Sequence, residues 1–108
     1  MSELFKILGQ SNPSTTNTTL YTCPAQTQTV ISVVTIANTT GGALTARLYA
    51  VPVNVTLSVD NALMYGKSIS ANTTDTTIKG ITLRGGDTLV CYASATGLVY
   101  SAFGSEIS

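Results

Sequence analysis

Short runs of β-branched and aromatic residues, each closed by a cluster of Gly, Pro, Asn, Ser or Asp, recur along the whole chain. The runs are spaced by about 8 to 12 residues, which is typical of β-sandwiches and small barrels. None of them has convincing helical periodicity. We therefore expect an all-β fold in which antiparallel strands form two packed sheets that bury their inner faces against each other.

Eight strands are predicted from these runs. They cover residues 4–8, 18–23, 27–38, 43–51, 63–69, 76–83, 88–93 and 98–107. The number of strands favours a jelly roll over an immunoglobulin-like sandwich, although the pattern leaves the strand order open. Residues 1–108 are predicted to form a single domain, because one sandwich uses about 100 residues.

The orientation of side chains can be predicted for two strands. The run 43–51 alternates cleanly, with one set pointing inward (Leu44, Ala46, Leu48, Ala50) and the other outward (Thr45, Arg47, Tyr49). The run 27–38 has apolar residues on both faces, with Val30, Val34 and Ile36 on one and Ile31 and Val33 on the other. A strand with this pattern is expected to be covered on both sides. The glycine pairs Gly41-Gly42 and Gly85-Gly86 predict hairpin turns, since paired glycines supply positive φ.

Residues 1–16 have the character of an N-terminal arm and loop. The loop Gln10–Thr16 is rich in Ser, Asn, Pro and Thr, and strand pairing does not easily cross such a segment. The arm carries four large apolar residues, which are Leu4, Phe5, Ile7 and Leu8. Two interpretations remain open: the arm is an edge strand of its own sandwich, or it provides a strand or hydrophobic anchor to a neighbouring subunit.

Catalytic and metal-binding functions are not expected. The chain has no histidine, so it has neither the side chain that titrates near neutral pH nor a Ser/His/Asp or Cys/His set. Its five acidic residues are scattered along the sequence, at Glu3, Asp60, Asp75, Asp87 and Glu106, so no carboxylate pair or calcium loop is indicated. We predict no enzyme activity, no catalytic residue, no cofactor and no metal.

The two cysteines, Cys23 and Cys91, have two interpretations. They are expected to be inert core residues, but they would form a disulfide if their strands lay side by side in an oxidising compartment. Two thiols without a histidine do not complete an ordinary zinc site.

Only 9% of the residues are charged and the formal net charge is zero. A basic surface for nucleic acid or an anionic membrane is therefore not predicted. Soluble monomers carry about a quarter of their residues as Lys, Arg, Asp and Glu, so this surface is weakly protected against association. We expect it to be covered by neighbouring protein chains, and Tyr49 and Tyr65 are further candidates for interface contacts because polar or basic residues flank them. The N-terminus has no signal-peptide pattern, and the protein is expected to stay where it is translated or inside a particle assembled there.

Four segments resemble a group of small β-sandwich virion proteins of tailed bacteriophages and prophages. They are Leu20-Tyr21-Thr22-Cys23-Pro24-Ala25, Val33-Val34-Thr35-Ile36-Ala37-Asn38, Ile81-Thr82-Leu83 and Ala102-Phe103-Gly104-Ser105-Glu106-Ile107. In that group a Leu-Tyr-Thr-Val-Pro-Ala-Gly opening and a Phe-Gly-x-Glu-Ile close frame the sandwich. Here Cys23 stands in place of the valine and Gln26 in place of the glycine.

The resemblance implies a capsid cement or decoration protein on the outer surface of a phage head, made in the cytoplasm of the bacterial host. Its implied partners are the major capsid protein and its own copies, as a homo-dimer or homo-trimer. The alternative function is a tail, baseplate or fibre component that contacts a receptor or glycan. A carbohydrate-binding module of a cellular enzyme is a third class, which the absence of tryptophan and of a linker disfavours.

Overall fold

The structure is a computed structural model that describes the backbone of residues 3–107 and the side chains of residues 5–76 and 80–107. Eight strands lie in this part of the chain. They are β1 (Glu3–Ser11), β2 (Thr18–Thr22), β3 (Gln28–Asn38), β4 (Leu44–Val51), β5 (Ala62–Ile69), β6 (Thr74–Arg84), β7 (Thr88–Ala93) and β8 (Leu98–Ile107). A single 3₁₀ turn, Val59–Asn61, is the one helical element among the described residues. The all-β prediction is confirmed, and the predicted strand ends differ from the observed ones by at most three residues.

The strands form two antiparallel sheets of four strands. The first sheet has the order β1-β8-β3-β6 and the second has the order β2-β7-β4-β5. Each connection between consecutive strands crosses from one sheet to the other, except the connection from β4 to β5. This order is compatible with the favoured jelly roll. It differs from the immunoglobulin order, in which the first two strands are neighbours in one sheet.

The prediction of hairpin turns at the two glycine pairs is wrong. Gly41-Gly42 connects β3 to β4 and Gly85-Gly86 connects β6 to β7, and in both cases the two strands belong to different sheets. At each turn the chain therefore passes from one sheet to the other, and the two strands that the turn connects are not paired with each other. Asp87 fixes the second turn, because its carboxylate accepts hydrogen bonds from the backbone N–H of Arg84 (3.1 Å) and of Val53 (2.9 Å).

The predicted faces of β3 are also wrong, because the strand contains a β-bulge. Its register with β8 shifts between Ile31 and Val33, so that Ser32 is an extra residue. A bulge of one residue reverses the alternation that follows it. As a result Ile31 joins Val34 and Ile36 in the core, where all three are fully buried, whereas Val30 is 38% exposed on the outer face. β4 has the predicted alternation, with Ala46 and Leu48 fully buried between the sheets.

Gln26, which replaces the glycine of the resembling group, has a backbone φ of 59°. This left-handed conformation costs a residue with a Cβ about 1–2 kcal/mol, part of which glycine loses again through its greater freedom in the unfolded chain. We therefore expect Gln26→Gly to raise the free energy of unfolding by about 0.5 kcal/mol. Urea denaturation measures this change. Gln28→Gly, at an exposed strand position, is the matched control and should lower stability; a loss of stability in both variants would contradict the prediction.

Candidate interaction surfaces

The outer face of the first sheet carries an apolar surface made of two rows of cross-strand neighbours. One row consists of Ile7, Phe103 and Val33, which the register of β1, β8 and β3 places side by side. The next row consists of Phe5, Ser105 and Val30, aligned in the same way. Cross-strand neighbours lie about 5 Å apart on one face of the sheet, so the two rows form a continuous patch. We call these the Ile7 row and the Phe5 row, and together the apolar face.

The large side chains of the apolar face are accessible. Phe5 is 75% exposed, Ile7 is 55% exposed and Val30 is 38% exposed, while Val33 and Phe103 are half-buried. A contiguous exposed apolar patch is a candidate site of association.

The predicted arm residues have different positions. Segment 3–11 forms β1, an edge strand that pairs with β8 of its own sandwich. Phe5 and Ile7 point outward, whereas Leu8 packs against the main core and is only partly accessible. The side chain of Leu4 lies outside the described residues, although its backbone position opposes Glu106.

The outer face of the second sheet is partly covered by the chain itself. Tyr49, Val51 and Val90 form a separate buried cluster there, and Leu57 and Ala62 pack against it. The segment between β4 and β5 therefore folds back over this face. Tyr49 points outward as predicted, but it is only 3% exposed because of this cover.

Beside this cover, one arginine lies between two tyrosines. The register places Arg47 opposite Tyr65 of β5 and opposite Tyr92 of β7. The guanidinium carbon lies 4.4 Å from the centroid of each ring. At an exposed site, each such cation–π contact contributes about 0.5–1 kcal/mol to the stability of the fold. We call Tyr65, Arg47 and Tyr92 the tyrosine–arginine ladder. Tyr65 is 55% exposed and is the accessible end of the ladder. Its ring also contacts Tyr49 edge to face, with 6.5 Å between the ring centroids.

A polar network at one end of the sandwich holds β1 to the strands around it. The carboxylate of Glu106 accepts a hydrogen bond from the Tyr21 hydroxyl (2.5 Å) and forms an ion pair with the Lys6 ammonium group (2.8 Å). Tyr21 also bonds Thr29 (2.8 Å). Burial raises the pKa of Tyr21, and the bond to Glu106 raises it further, so the hydroxyl stays protonated and donates. The bonds from Lys6 and Tyr21 lower the pKa of Glu106.

This network predicts a dependence of stability on pH. A carboxylate with a lowered folded pKa contributes stability above the ordinary glutamate pKa of about 4.3, and that contribution is lost as the pH falls through the folded value. We expect wild type to exceed Glu106→Gln in free energy of unfolding at neutral pH, and the difference to shrink in acid. Because Lys6 is 41% exposed, the difference should be below about 1 kcal/mol and should decrease with added salt. Urea denaturation at several pH values measures it; a difference that does not change with pH would contradict this account.

The cysteines cannot form a disulfide within this chain. β2 and β7 are neighbours, but Cys91 lies opposite Thr18, whereas Cys23 lies beyond the other end of β2, where it hydrogen-bonds Asp87. Four residues of strand separate the two positions, which is about 13 Å and well beyond the limit of about 7 Å for a disulfide. Burial raises the pKa of the Cys91 thiol to about 11, so it is protonated at neutral pH.

The side chains that could bind metals do not cluster. No group of three or more Cys, Asp or Glu residues suited to a metal ion is found among the described residues. Within the same residues, the structure has no helix of the length and apolar character needed to cross a bilayer.

Sequence reasoning missed several residues of these surfaces. Val30, Val33 and Phe103 complete the apolar face, but their alignment depends on bulges in β1 and β3 that period-two patterns do not reveal. Arg47 and Tyr92 belong to the ladder. The alternation of β4 correctly predicts that Arg47 points outward. Its tyrosine neighbours could not be predicted, because they depend on which strands lie beside β4.

The comparisons with known proteins show the fold. No protein-family model matches this chain, and no curated protein matches it. Solved structures do match. The structure of the infectious bursal disease virus Gx strain is 14% identical with a TM-score of 0.50, and it covers 96% of this chain and 31% of that chain.

Two further structures agree with this match. The T13 viral particle of the same virus is 12% identical with a TM-score of 0.51, over 96% of this chain and 30% of that one. The T=1 particles derived from infectious bursal virus give 14% identity and a TM-score of 0.50, over 97% and 30%. This chain thus spans about a third of the length of the chains that it matches. At these identities the likeness is one of fold.

Proposed function

We propose that this chain is a structural protein of a viral particle, and more narrowly a capsid cement or decoration protein of the tailed-bacteriophage type. It binds between subunits at the outer surface of the head, and its partners are the major capsid protein and its own copies. The observation that carries the proposal is the apolar face, because Phe5 is the most exposed large hydrophobic residue among those described and lies beside the exposed Ile7 and Val30. Burying each of them against another chain would contribute about 1.5–3 kcal/mol.

Two further observations support this function. The sandwich has the fold of chains from viral particles, although the likeness alone assigns no role. The ladder lies on the sheet opposite the apolar face, so one small domain has candidate contact surfaces on both outer sides. A protein that contacts several neighbours at once gains avidity from multivalency, which suits a cement that resists internal pressure.

The alternative is a tail, baseplate or fibre component that contacts a receptor or glycan. The ladder is the observation that favours it, because an exposed tyrosine beside an arginine is suited to contact with sugars or polar protein surfaces. The cement function is preferred because the ladder is a small patch, and Tyr49 beneath it is covered by the chain itself.

Co-sedimentation of the purified chain with separated heads and tails of the virus that encodes it tests both functions. Binding to heads that saturates at many copies is the expected result. Binding to tails alone would favour the alternative, and binding to neither would overturn the proposal. Val59→Lys, a substitution at an exposed residue of the 3₁₀ turn, is a control that should bind as wild type does.

A further inference from the structure

The apolar face is part of the outer face of the first sheet and lies on three of its four strands. Strands lie about 4.8 Å apart and rise about 3.3 Å per residue, so the whole outer face of this sheet, with four strands of nine to eleven residues, measures about 650 Å². Two such sheets stacked over their whole outer faces bury about 1,300 Å², which exceeds the area of about 1,000 Å² that a specific interface needs. A second copy of the first sheet, packed face to face on this one, therefore provides enough area for a stable contact.

The side-chain sizes in the two rows are complementary to each other. In β8 the Ile7 row contains the large Phe103, whereas the Phe5 row contains the small Ser105. When one row lies over the other, Phe103 of one copy lies over Ser105 of the second copy. Interdigitation of large and small residues is how packed sheets fill the space of about 10 Å between them.

No like charges meet where the two rows face each other. In β1, β8 and β3 neither row contains a charged residue, and the chain as a whole has no net charge. At β6 the backbone position opposite Val33 is Lys79 and the one opposite Val30 is Thr82. Placing one row over the other sets the Lys79 position against Thr82 of the second copy and keeps the two lysine positions apart.

Pairing through the free edge of β1 is less favourable than pairing through its face. The pairing of β1 with β8 is interrupted by a bulge at Leu8, and the side chain of Lys6 extends from β1 to form an ion pair with Glu106. Bulges and lysines are the features by which natural edge strands avoid addition of another strand. The face lacks such protection.

We propose that the apolar face binds a second copy of this chain in a two-fold symmetric dimer, with the Ile7 row of each copy over the Phe5 row of the other. The axis runs across the strands, between the two rows, as a self-complementary two-fold contact requires. This inference rests on the proposed function, since it names the partner of the surface that carries it. The dimer leaves the ladder of each copy on its outer side, so one particle component presents two identical contact sites.

Sedimentation equilibrium of the purified full chain tests the dimer directly. Wild type should be a dimer. Phe5→Lys and Ile7→Glu should each weaken association at least about thirty-fold, because each places an unpaired charge against an apolar side chain of the second copy. The double variant should regain part of that loss, because Lys at position 5 then faces Glu at position 7 of the second copy. Val59→Lys is the control, and circular dichroism shows whether each variant is folded.

The possible outcomes separate this inference from the function. A wild-type chain that stays monomeric at high concentration, or folded face variants that dimerise as tightly as wild type, would overturn the dimer. If the single variants associate more weakly than wild type and the double variant recovers none of that affinity, the row-over-row arrangement is wrong. A monomer that still binds heads would contradict the dimer and leave the proposed function intact. A dimer that binds no particle would contradict the proposed function and leave the dimer intact.

Discussion

Gly104→Ala is expected to lower the free energy of unfolding by about 3 kcal/mol or more, at or above the upper end of what overpacking usually costs. A Cβ at Gly104 would lie 2.1 Å from the carbonyl oxygen of Val30 and 2.9 Å from the Cα of Ile31. Both atoms belong to the backbone of β3 next to its bulge, so no rotamer change removes the overlap. The added methyl group must push β8 and β3 apart at the centre of the first sheet.

The control for this prediction is Gly42→Ala, because a Cβ there has no atom within 4 Å. It should change stability by no more than about 0.5 kcal/mol. Urea denaturation compares the two variants with wild type. If Gly104→Ala does not fold, its insolubility beside a normally soluble Gly42→Ala is the same result. A Gly104→Ala protein within about 1 kcal/mol of wild type would contradict the packing described for β3 and β8.

Tyr100→Phe is expected to cost about 1–3 kcal/mol, which is the penalty for leaving buried polar groups without their hydrogen bond. Tyr100 is fully buried in β8, and its hydroxyl lies 2.6 Å from the carbonyl oxygen of Tyr92 and 3.2 Å from that of Arg47. Burial raises the pKa of this tyrosine, so its hydroxyl remains a donor. The bond joins the first sheet to the second directly beneath the ladder, and its loss should also loosen the ladder.

Tyr65→Phe is the matched control, because it removes a hydroxyl from the same residue type at a position that is 55% exposed. It should change stability by less than about 0.5 kcal/mol. Equal effects of the two substitutions on the midpoint of urea denaturation would show that the Tyr100 hydroxyl does not link the sheets.

Much of the fold could be predicted from the sequence because turn residues and β-branched runs act locally. The strand ends agree closely, and the clean alternation of β4 placed Ala46 and Leu48 correctly in the core. The faces of β3 failed because one extra residue at Ser32 reverses the alternation, and the sequence contains no sign of it. The turns at Gly41 and Gly85 were predicted as chain reversals, but which strand becomes the neighbour is decided by packing of the whole sheet.

The candidate surfaces were predicted only in part, for a related reason. Phe5 and Ile7 are exposed on one strand, and their grouping with Val30 arises from the pairing of β8 with both β1 and β3. Tyr49 is buried because the segment before β5 packs Leu57 over it, and a distant loop can do this without leaving a pattern in β4. Whether these surfaces bind the partners proposed for them remains a prediction.

The copy number of this chain in purified particles of the virus that encodes it tests the central claim most directly. Quantitative mass spectrometry gives the ratio of this chain to the major capsid protein. A structural protein of the head should be present in many copies and in a simple ratio to that protein, as repeated sites on a symmetric shell require. Absence from the particle, or only a few copies in each one, would contradict the account.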